Sequence, residues 1–275
     1  MKTGLVLSGG GVRGVAHIGA IKALEEYGIY PSHIAGTSAG AIVGALYAGG
    51  HTWEGILDFF KTTQIFSIYN YARSKPGFVD TEKFYDHLKS YLPKDSFASL
   101  RTPLYITATN LLDGTLKVFH RGELIKPILA SAAVPGLFAP VAFKSGYYVD
   151  GGTLNNFPVD LIKLQCDQVV GVYVNPFEKM KITDLKHAHN VLERAYHIMV
   201  ANETILKFED CDILIRPDRM AEFSMFSLKN IDTLFELGYK ATLSVLKNTN
   251  KLNKLESEAE LEAMNGFQLN NPKSS

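Results

Sequence analysis

Gly36-Thr37-Ser38-Ala39-Gly40 is a G-x-S-x-G set between a short apolar run, Ile34-Ala35, and helix-forming residues that close at Gly49-Gly50. In a strand–turn–helix setting this pattern is a nucleophile elbow. The serine stands on a sharp turn, and small residues two positions to either side keep it uncrowded. The plainer alternative is a tight turn whose Ser38 only caps the helix. A second glycine-rich turn, Gly9-Gly10-Gly11-Val12-Arg13-Gly14, follows Leu5-Val6-Leu7 and opens another helix. Glycines let backbone N–H groups face outward, and the helix N-terminus adds partial positive charge, so this turn is suited to an anion. Read as G-x-G-x-x-G it matches a dinucleotide loop, which also expects an acidic residue about 20 positions on, near the end of the second strand. Ser32 to Thr37 holds none, and Glu25 and Glu26 lie inside the first helix. Nucleotide binding is therefore disfavoured.

A serine hydroxyl is a weak nucleophile until a neighbour takes its proton. In α/β-hydrolases an acidic residue and then a histidine follow the serine. Of the eight histidines only His187, His189 and His197 follow Asp150, and all three fall in or at the start of one predicted helix. A place in a helix, rather than in a loop after a strand, counts against a triad base, and His187 and His189, two apart, do not share a helical face, which counts against a metal pair. No metal or other cofactor is indicated. Asp150-Gly151-Gly152 is the stronger candidate for the base. It follows Tyr147-Tyr148-Val149, so Asp150 is expected at the carboxyl end of a strand, the edge where α/β sites collect. The simple alternative is an ordinary Asp-Gly turn.

The elements that must position these residues read as alternating strands and helices. Strands are expected at Leu5–Leu7, Ile34–Ala35, Leu104–Thr109, Thr115–Phe119, Tyr147–Val149, Gln168–Val174 and Ile213–Ile215. Helices are expected over Val15–Tyr27, from Ala39 through Tyr47, and over Thr81–Tyr91, Glu123–Ala133, Asp184–Phe208 and Ile231–Leu246. Gly28 stands where a helix C-cap glycine belongs, and Asp113-Gly114 signals a hairpin. The alternation predicts an α/β fold, a three-layer α/β/α arrangement with a largely parallel central sheet. One domain is expected over residues 5–247, followed by a loosely held polar tail over 248–275. The segment from Trp53 to Tyr71 is rich in large apolar groups, among them Phe59, Phe60 and Phe66. Packing on the sheet is its plain reading; a wall for an acyl chain, or a membrane-facing cover, is its functional one.

The chain has 275 residues, 46% hydrophobic and 20% charged, with a formal net charge of zero. This excludes general disorder, and it gives no basic footprint for nucleic acid. Cys166 and Cys211 are too few for a disulfide scaffold and lack zinc spacing, so both read as ordinary thiols. No run approaches the roughly 18 apolar residues of a membrane span. The apolar run at Leu5–Leu7 meets glycines and Arg13 too early for a secretory signal. The expectation is a cytoplasmic protein, compatible with peripheral contact at a membrane. Oligomeric state is not legible.

Taken in order, Gly9-Gly10-Gly11-Val12-Arg13-Gly14, Gly36-Thr37-Ser38-Ala39-Gly40 and Asp150-Gly151-Gly152 resemble the patatin-like phospholipase family in its compact bacterial form. Ala130-Ser131-Ala132-Ala133-Val134-Pro135-Gly136-Leu137-Phe138-Ala139-Pro140 and Asn155-Asn156-Phe157-Pro158 look like the blocks that flank the family's aspartate. The likeness spans about residues 5–200. Ser8 stands where many plant members carry aspartate, which is not a catalytic position. The resemblance implies a patatin-like fold and a serine acyl hydrolase of lipid esters, working through a Ser38–Asp150 dyad without histidine. It implies an oxyanion hole at Gly10 and Gly11 with Arg13 near the developing charge, and motif-supporting roles for Gly9, Gly14, Gly36, Gly40, Gly151 and Gly152. A reading from a different class keeps the same site in a regulatory or lipid-binding module with little turnover.

Overall fold

The computed structural model describes residues 1–63, 81–175, 180–186, 188–223, 225 and 228–268. Eight strands form one sheet: β1 (Thr3–Leu7), β2 (His33–Gly36), β3 (Leu104–Asn110), β4 (Thr115–Phe119), β5 (Val141–Phe143), β6 (Gly146–Asp150), β7 (Gln168–Val172) and β8 (Ile213–Ile215). Their order is β5-β6-β3-β2-β1-β7-β8, with β4 also paired to β3. Pairings among β3, β2, β1, β7 and β8 are parallel, while β4, β5 and β6 join antiparallel. The sheet is thus mostly parallel.

Side chains alternate across it as the two-residue period requires. Leu5, Leu7, Ile34, Ile106, Val170 and Val172 face the larger core, and Val6, Ala35 and Val169 face the smaller. The larger core takes in α1 (Val15–Glu26), α2 (Ala39–Ala48), α3 (Trp53–Thr62), α4 (Thr81–Tyr91), α5 (Ile125–Ser131) and the first turns of α7 (Ile231–Gln268). The smaller face is covered by Phe157, Val159, Ile162 and Phe208, which lie in turns on either side of α6 (Ala188–Leu206). Helix α1 is buried from Val15 through Ile21 because α7 packs on its outer side. A side chain on Gly19 would strike the Phe235 carbonyl, and one on Gly238 the Ala16 carbonyl, so the two backbones touch.

The predicted elements form with small shifts at their ends. A 3₁₀ turn over Gly11–Gly14 precedes α1, and α6 starts at Ala188 rather than Asp184. The larger difference is at the end of the chain. Helix α7 does not close near Leu246 but runs on to Gln268. Residues 251–263 are polar yet rich in Lys, Glu, Leu and Ala, all strong helix formers, so polarity there does not mean absence of structure. The aromatic segment also resolves in part. Phe59 and Phe60 are fully buried in the main core. Phe59 packs on the Phe84, His87 and Tyr91 rings of α4 at centroid distances of 6.4, 4.9 and 5.0 Å. They are core residues and do not form a cover or an acyl-chain wall. Phe66 lies outside the described residues.

Candidate active site

Register places the two candidate catalytic residues side by side. Ile106 pairs with Gly36 of β2 on one edge of β3 and with Phe119 of β4 on the other. Ala108, Thr109 and Asn110 pair with both β4 and β6, so β6 occupies the same edge of β3 as β2 does. The two strands meet end to end on that edge, with Thr107 between them. β2 runs up to Gly36 and continues into Thr37-Ser38, while β6 runs down to Asp150 opposite Ala108. Asp150 therefore ends an antiparallel strand. It reaches the active edge of the sheet because β3 outruns β2, and not because it sits at the carboxyl end of a parallel strand.

At the elbow Ser38 has φ 54° and ψ −122°, a backbone conformation that side chains rarely adopt. Gly36 and Gly40 make the turn feasible: a β-carbon on Gly36 would lie 2.5 Å from the Gly40 carbonyl oxygen, and one on Gly40 would collide with the Leu7 carbonyl. Ser38 caps α2 only in position, since its side chain makes no capping hydrogen bond. Its backbone N–H instead donates to Ser131 Oγ at the end of α5, at 2.8 Å. Thr37 Oγ1 lies 2.6 Å from Thr107 Oγ1 and donates to the Asn155 carbonyl at 2.9 Å. Those contacts stitch β2, β3 and the turn after Asp150 together beneath Ser38.

Asp150 and Ser38 are both buried, 4% and 5% exposed. Burial pushes the Asp150 carboxyl up to about 6, opposed by the Ser38 hydroxyl and then by the Gly152 N–H, both of which favour the charged form. The Gly152 N–H donates to Asp150 Oδ1 at 2.7 Å. The Asp150 N–H donates to the Ala133 carbonyl at 2.9 Å, and its own carbonyl accepts from Thr109 Oγ1 at 3.1 Å. Gly151 packs against Thr107 so closely that no side chain would fit there. The carboxylate is thereby held in one orientation.

The glycine loop lies beside Ser38. Its ends are fixed: the Gly9 N–H donates to the Asn156 carbonyl at 3.2 Å, the Val12 N–H to the Met225 carbonyl at 2.8 Å and the Arg13 N–H to the Gly10 carbonyl at 3.2 Å. Among the described residues no backbone acceptor takes the N–H of Gly10 or Gly11. Gly11 has φ 58° and its α-carbon abuts the Met225 carbonyl, so a side chain there would be strained and blocked. Arg13 Nε donates to the Phe223 carbonyl at 2.9 Å, which ties the loop to the segment before α7. Ser8 braces the other side, its Oγ accepting from the Val174 N–H at 3.1 Å. The Ser8 carbonyl accepts from His17 Nε2 at 2.8 Å, and burial lowers His17 to about 4, so its ring is neutral.

The structure thus brings together Ser38, Asp150, Gly9, Gly10, Gly11, Arg13, Gly14, Gly36, Gly40, Gly151 and Gly152. The side chains of His187, His189 and His197 lie outside the described residues. The sequence did not single out Thr107, His17 or Asn175. Ser131, Asn155 and Asn156 stood in the two flanking blocks, but only as supporting sequence. Cys166 and Cys211 are free, partly buried thiols, and burial raises both, Cys211 to about 12. Among the described residues no helix is long and apolar enough to cross a membrane.

A buried serine on a strained strand-to-helix turn, beside a buried aspartate and a glycine loop, is the nucleophile-elbow arrangement of a class of α/β proteins. The family model described as patatin-like phospholipase matches residues 5–162, and the chain belongs to that family. An uncharacterized NTE family protein of Mycobacterium bovis is 35% identical over 180 residues, covering 64% of this chain and 50% of that protein. A lysophospholipase NTE1 of Lodderomyces elongisporus is 32% identical over 178 residues, covering 57% of this chain and 11% of the fungal one. The chain therefore spans at most about half the length of these relatives. Among solved structures, VipD from Legionella pneumophila superposes with a TM-score of 0.59 at 14% identity, over 90% of this chain and 67% of VipD. That likeness is one of fold.

Proposed function

We propose that the protein is a serine acyl hydrolase that cleaves carboxylic esters of lipids through a Ser38–Asp150 dyad and an oxyanion hole at Gly10 and Gly11. The observation that carries this is the pairing of Ser38, on its strained elbow, with a fully buried Asp150 whose carboxyl the serine hydroxyl acts on directly. Ser38 Oγ attacks the acyl carbon and its proton passes to Asp150. The carbonyl electron pair moves onto oxygen, where the Gly10 and Gly11 N–H groups receive it. As the carbon–oxygen double bond reforms, the alcohol leaves with the proton from Asp150. Water then repeats the sequence on the acyl-enzyme, with Asp150 again as base.

A free aspartate, near 3.9, is a poor base for a hydroxyl. Burial narrows that gap by moving Asp150 to about 6 while leaving it mostly ionised at neutral pH. The rest falls to the oxyanion donors, each worth roughly 10²–10³ in rate. Arg13 serves the hole by holding the loop through Phe223 rather than through its own N–H, which is spent on Gly10. The name of the fungal relatives puts lysophospholipids first among the substrates to try. Such substrates would be met at a lipid surface.

The test is labelling with a fluorophosphonate probe followed by peptide mass spectrometry, alongside hydrolysis of short acyl esters. The native protein should be labelled on Ser38, and both labelling and hydrolysis should vanish in Ser38→Ala and in Asp150→Asn. Labelling that persists in Ser38→Ala, or a native protein that is neither labelled nor active, would overturn the assignment.

A further inference from the structure

Buried polar atoms in folded proteins nearly always have a partner, so those that do not call for a reason. Among the described residues five buried side-chain polar atoms lack one. Three of them flank the glycine loop: His17 Nδ1, Asn175 Oδ1 and Asn156 Nδ2. His17 is neutral and gives its Nε2 proton to the Ser8 carbonyl, so its remaining nitrogen is an acceptor. Asn175 donates to the Gly9 carbonyl, and its orphan atom is an acceptor too. Of the three orphan atoms only Asn156 Nδ2 is a donor.

Its position is fixed by its own backbone. The Asn156 carbonyl accepts the Gly9 N–H at 3.2 Å, so the residue is clamped to the loop. A β-carbon built on Gly9 would touch the Asn156 carboxamide oxygen and lie 3.1 Å from Ser38 Cβ. The carboxamide oxygen and the Ser38 β-carbon thus crowd the same point from two sides, and Nδ2 belongs to the same planar group. Asn156 is 8% exposed, so water does not stand in for the missing partner on an open surface. The neighbouring Asn155 shows the contrast. Its carboxamide is fully used, donating to Asp160 at 3.0 Å and accepting from Lys207 Nζ at 2.9 Å.

We propose that the Asn156 carboxamide N–H is a third, side-chain donor to the oxygen of the reacting acyl group, next to the Gly10 and Gly11 N–H groups. As the Ser38 Oγ–carbon bond forms and the carbonyl pair moves to oxygen, the new charge is the acceptor that Asn156 lacks in the resting protein. The inference rests on the acyl-hydrolase reading and extends it. A donor left unpaired until the transition state raises kcat more than it lowers KM.

The experiment measures kcat and KM on p-nitrophenyl butyrate, and thermal midpoints, for the native protein, Ser38→Ala, Asn156→Ala and Asn156→Asp. Both Asn156 variants should lose about 10²-fold in kcat with KM within threefold. The midpoint of Asn156→Ala should equal or exceed that of the native protein, because the alanine removes a buried unpaired group. A kcat within threefold of native in both variants overturns the donor role while leaving the dyad standing, provided Ser38→Ala is inactive. A lowered midpoint of Asn156→Ala, or failure of both variants to fold, makes Asn156 a structural residue and also overturns it. If the native protein hydrolyses nothing, the acyl-hydrolase reading itself fails and this inference with it.

Discussion

Replacing Asp150 by asparagine should abolish turnover and, at neutral pH, make the protein more stable. The side chain keeps its shape, and its oxygen can still accept the Gly152 N–H that now binds Asp150 Oδ1 at 2.7 Å. What is lost is the charge. Burial raises the carboxyl from 3.8 to about 6. At about 1.4 kcal/mol per tenfold change in proton affinity, that rise corresponds to about 3 kcal/mol. The sign follows from linkage. A raised carboxyl binds its proton more tightly in the folded chain than in the unfolded one, so the native protein loses stability as pH rises from 3.8 through 6 and carries the full penalty above. Asparagine carries none of it. With unfolding entropy of roughly 2.1 cal/mol/K per residue, 275 residues give about 0.6 kcal/mol/K, so the midpoint of Asp150→Asn should rise by about 5 °C at pH 8. At pH 3.5 the difference should shrink towards zero. Thermal unfolding of both proteins between pH 3.5 and 8 measures this directly. Under the proposed dyad the same group sets the acid limb, so kcat/KM of the native protein should climb with pH through about 6. A variant less stable than the native protein at pH 8, or an acid limb centred below 4.5, would refute the buried-base argument.

Three further outcomes are expected. Ser38→Gly should eliminate labelling and activity but raise the unfolding free energy in urea by about 1–2 kcal/mol, because glycine accepts φ 54° without strain. Ser131→Ala should strand the buried Ser38 N–H that now donates to Ser131 Oγ, costing about 1–3 kcal/mol in the same assay and lowering kcat by loosening the elbow. Phe59→Ala should cost about 3–5 kcal/mol, read by chemical unfolding, and reduce short-chain and long-chain ester hydrolysis alike, since Phe59 is core and not an acyl-chain wall.

Local chemistry carried much of this protein in readable form. Glycines are required where Gly36 and Gly40 pass backbone and where Gly11 turns left-handed, so their spacing around Ser38 and along the loop marks the turns before any fold is known. The short apolar strands and the apolar periodicity of α1 are likewise properties of neighbouring residues. The end of α7 is not marked by polarity, because Lys, Glu and Ala are strong helix formers as well as, in part, polar ones. The aromatic stretch was ambiguous because composition does not say which ring faces the sheet; contact with α4 decided it for Phe59.

Tertiary structure alone decided what surrounds Ser38. Ser38 and Asp150 are separated by most of a domain in sequence, and they meet only because β2 and β6 share one edge of β3 and end on either side of Thr107. That antiparallel entry of β6 is a matter of register, which no single segment encodes. The same holds for Ser131, Thr107 and Asn156, whose roles consist of long-range hydrogen bonds or of one left unmade. The sequence by itself determined which residues could act and how the chain must turn around them. The fold determined the burial that raises the Asp150 carboxyl, because desolvation is a property of everything packed around Asp150 and of no residue taken alone.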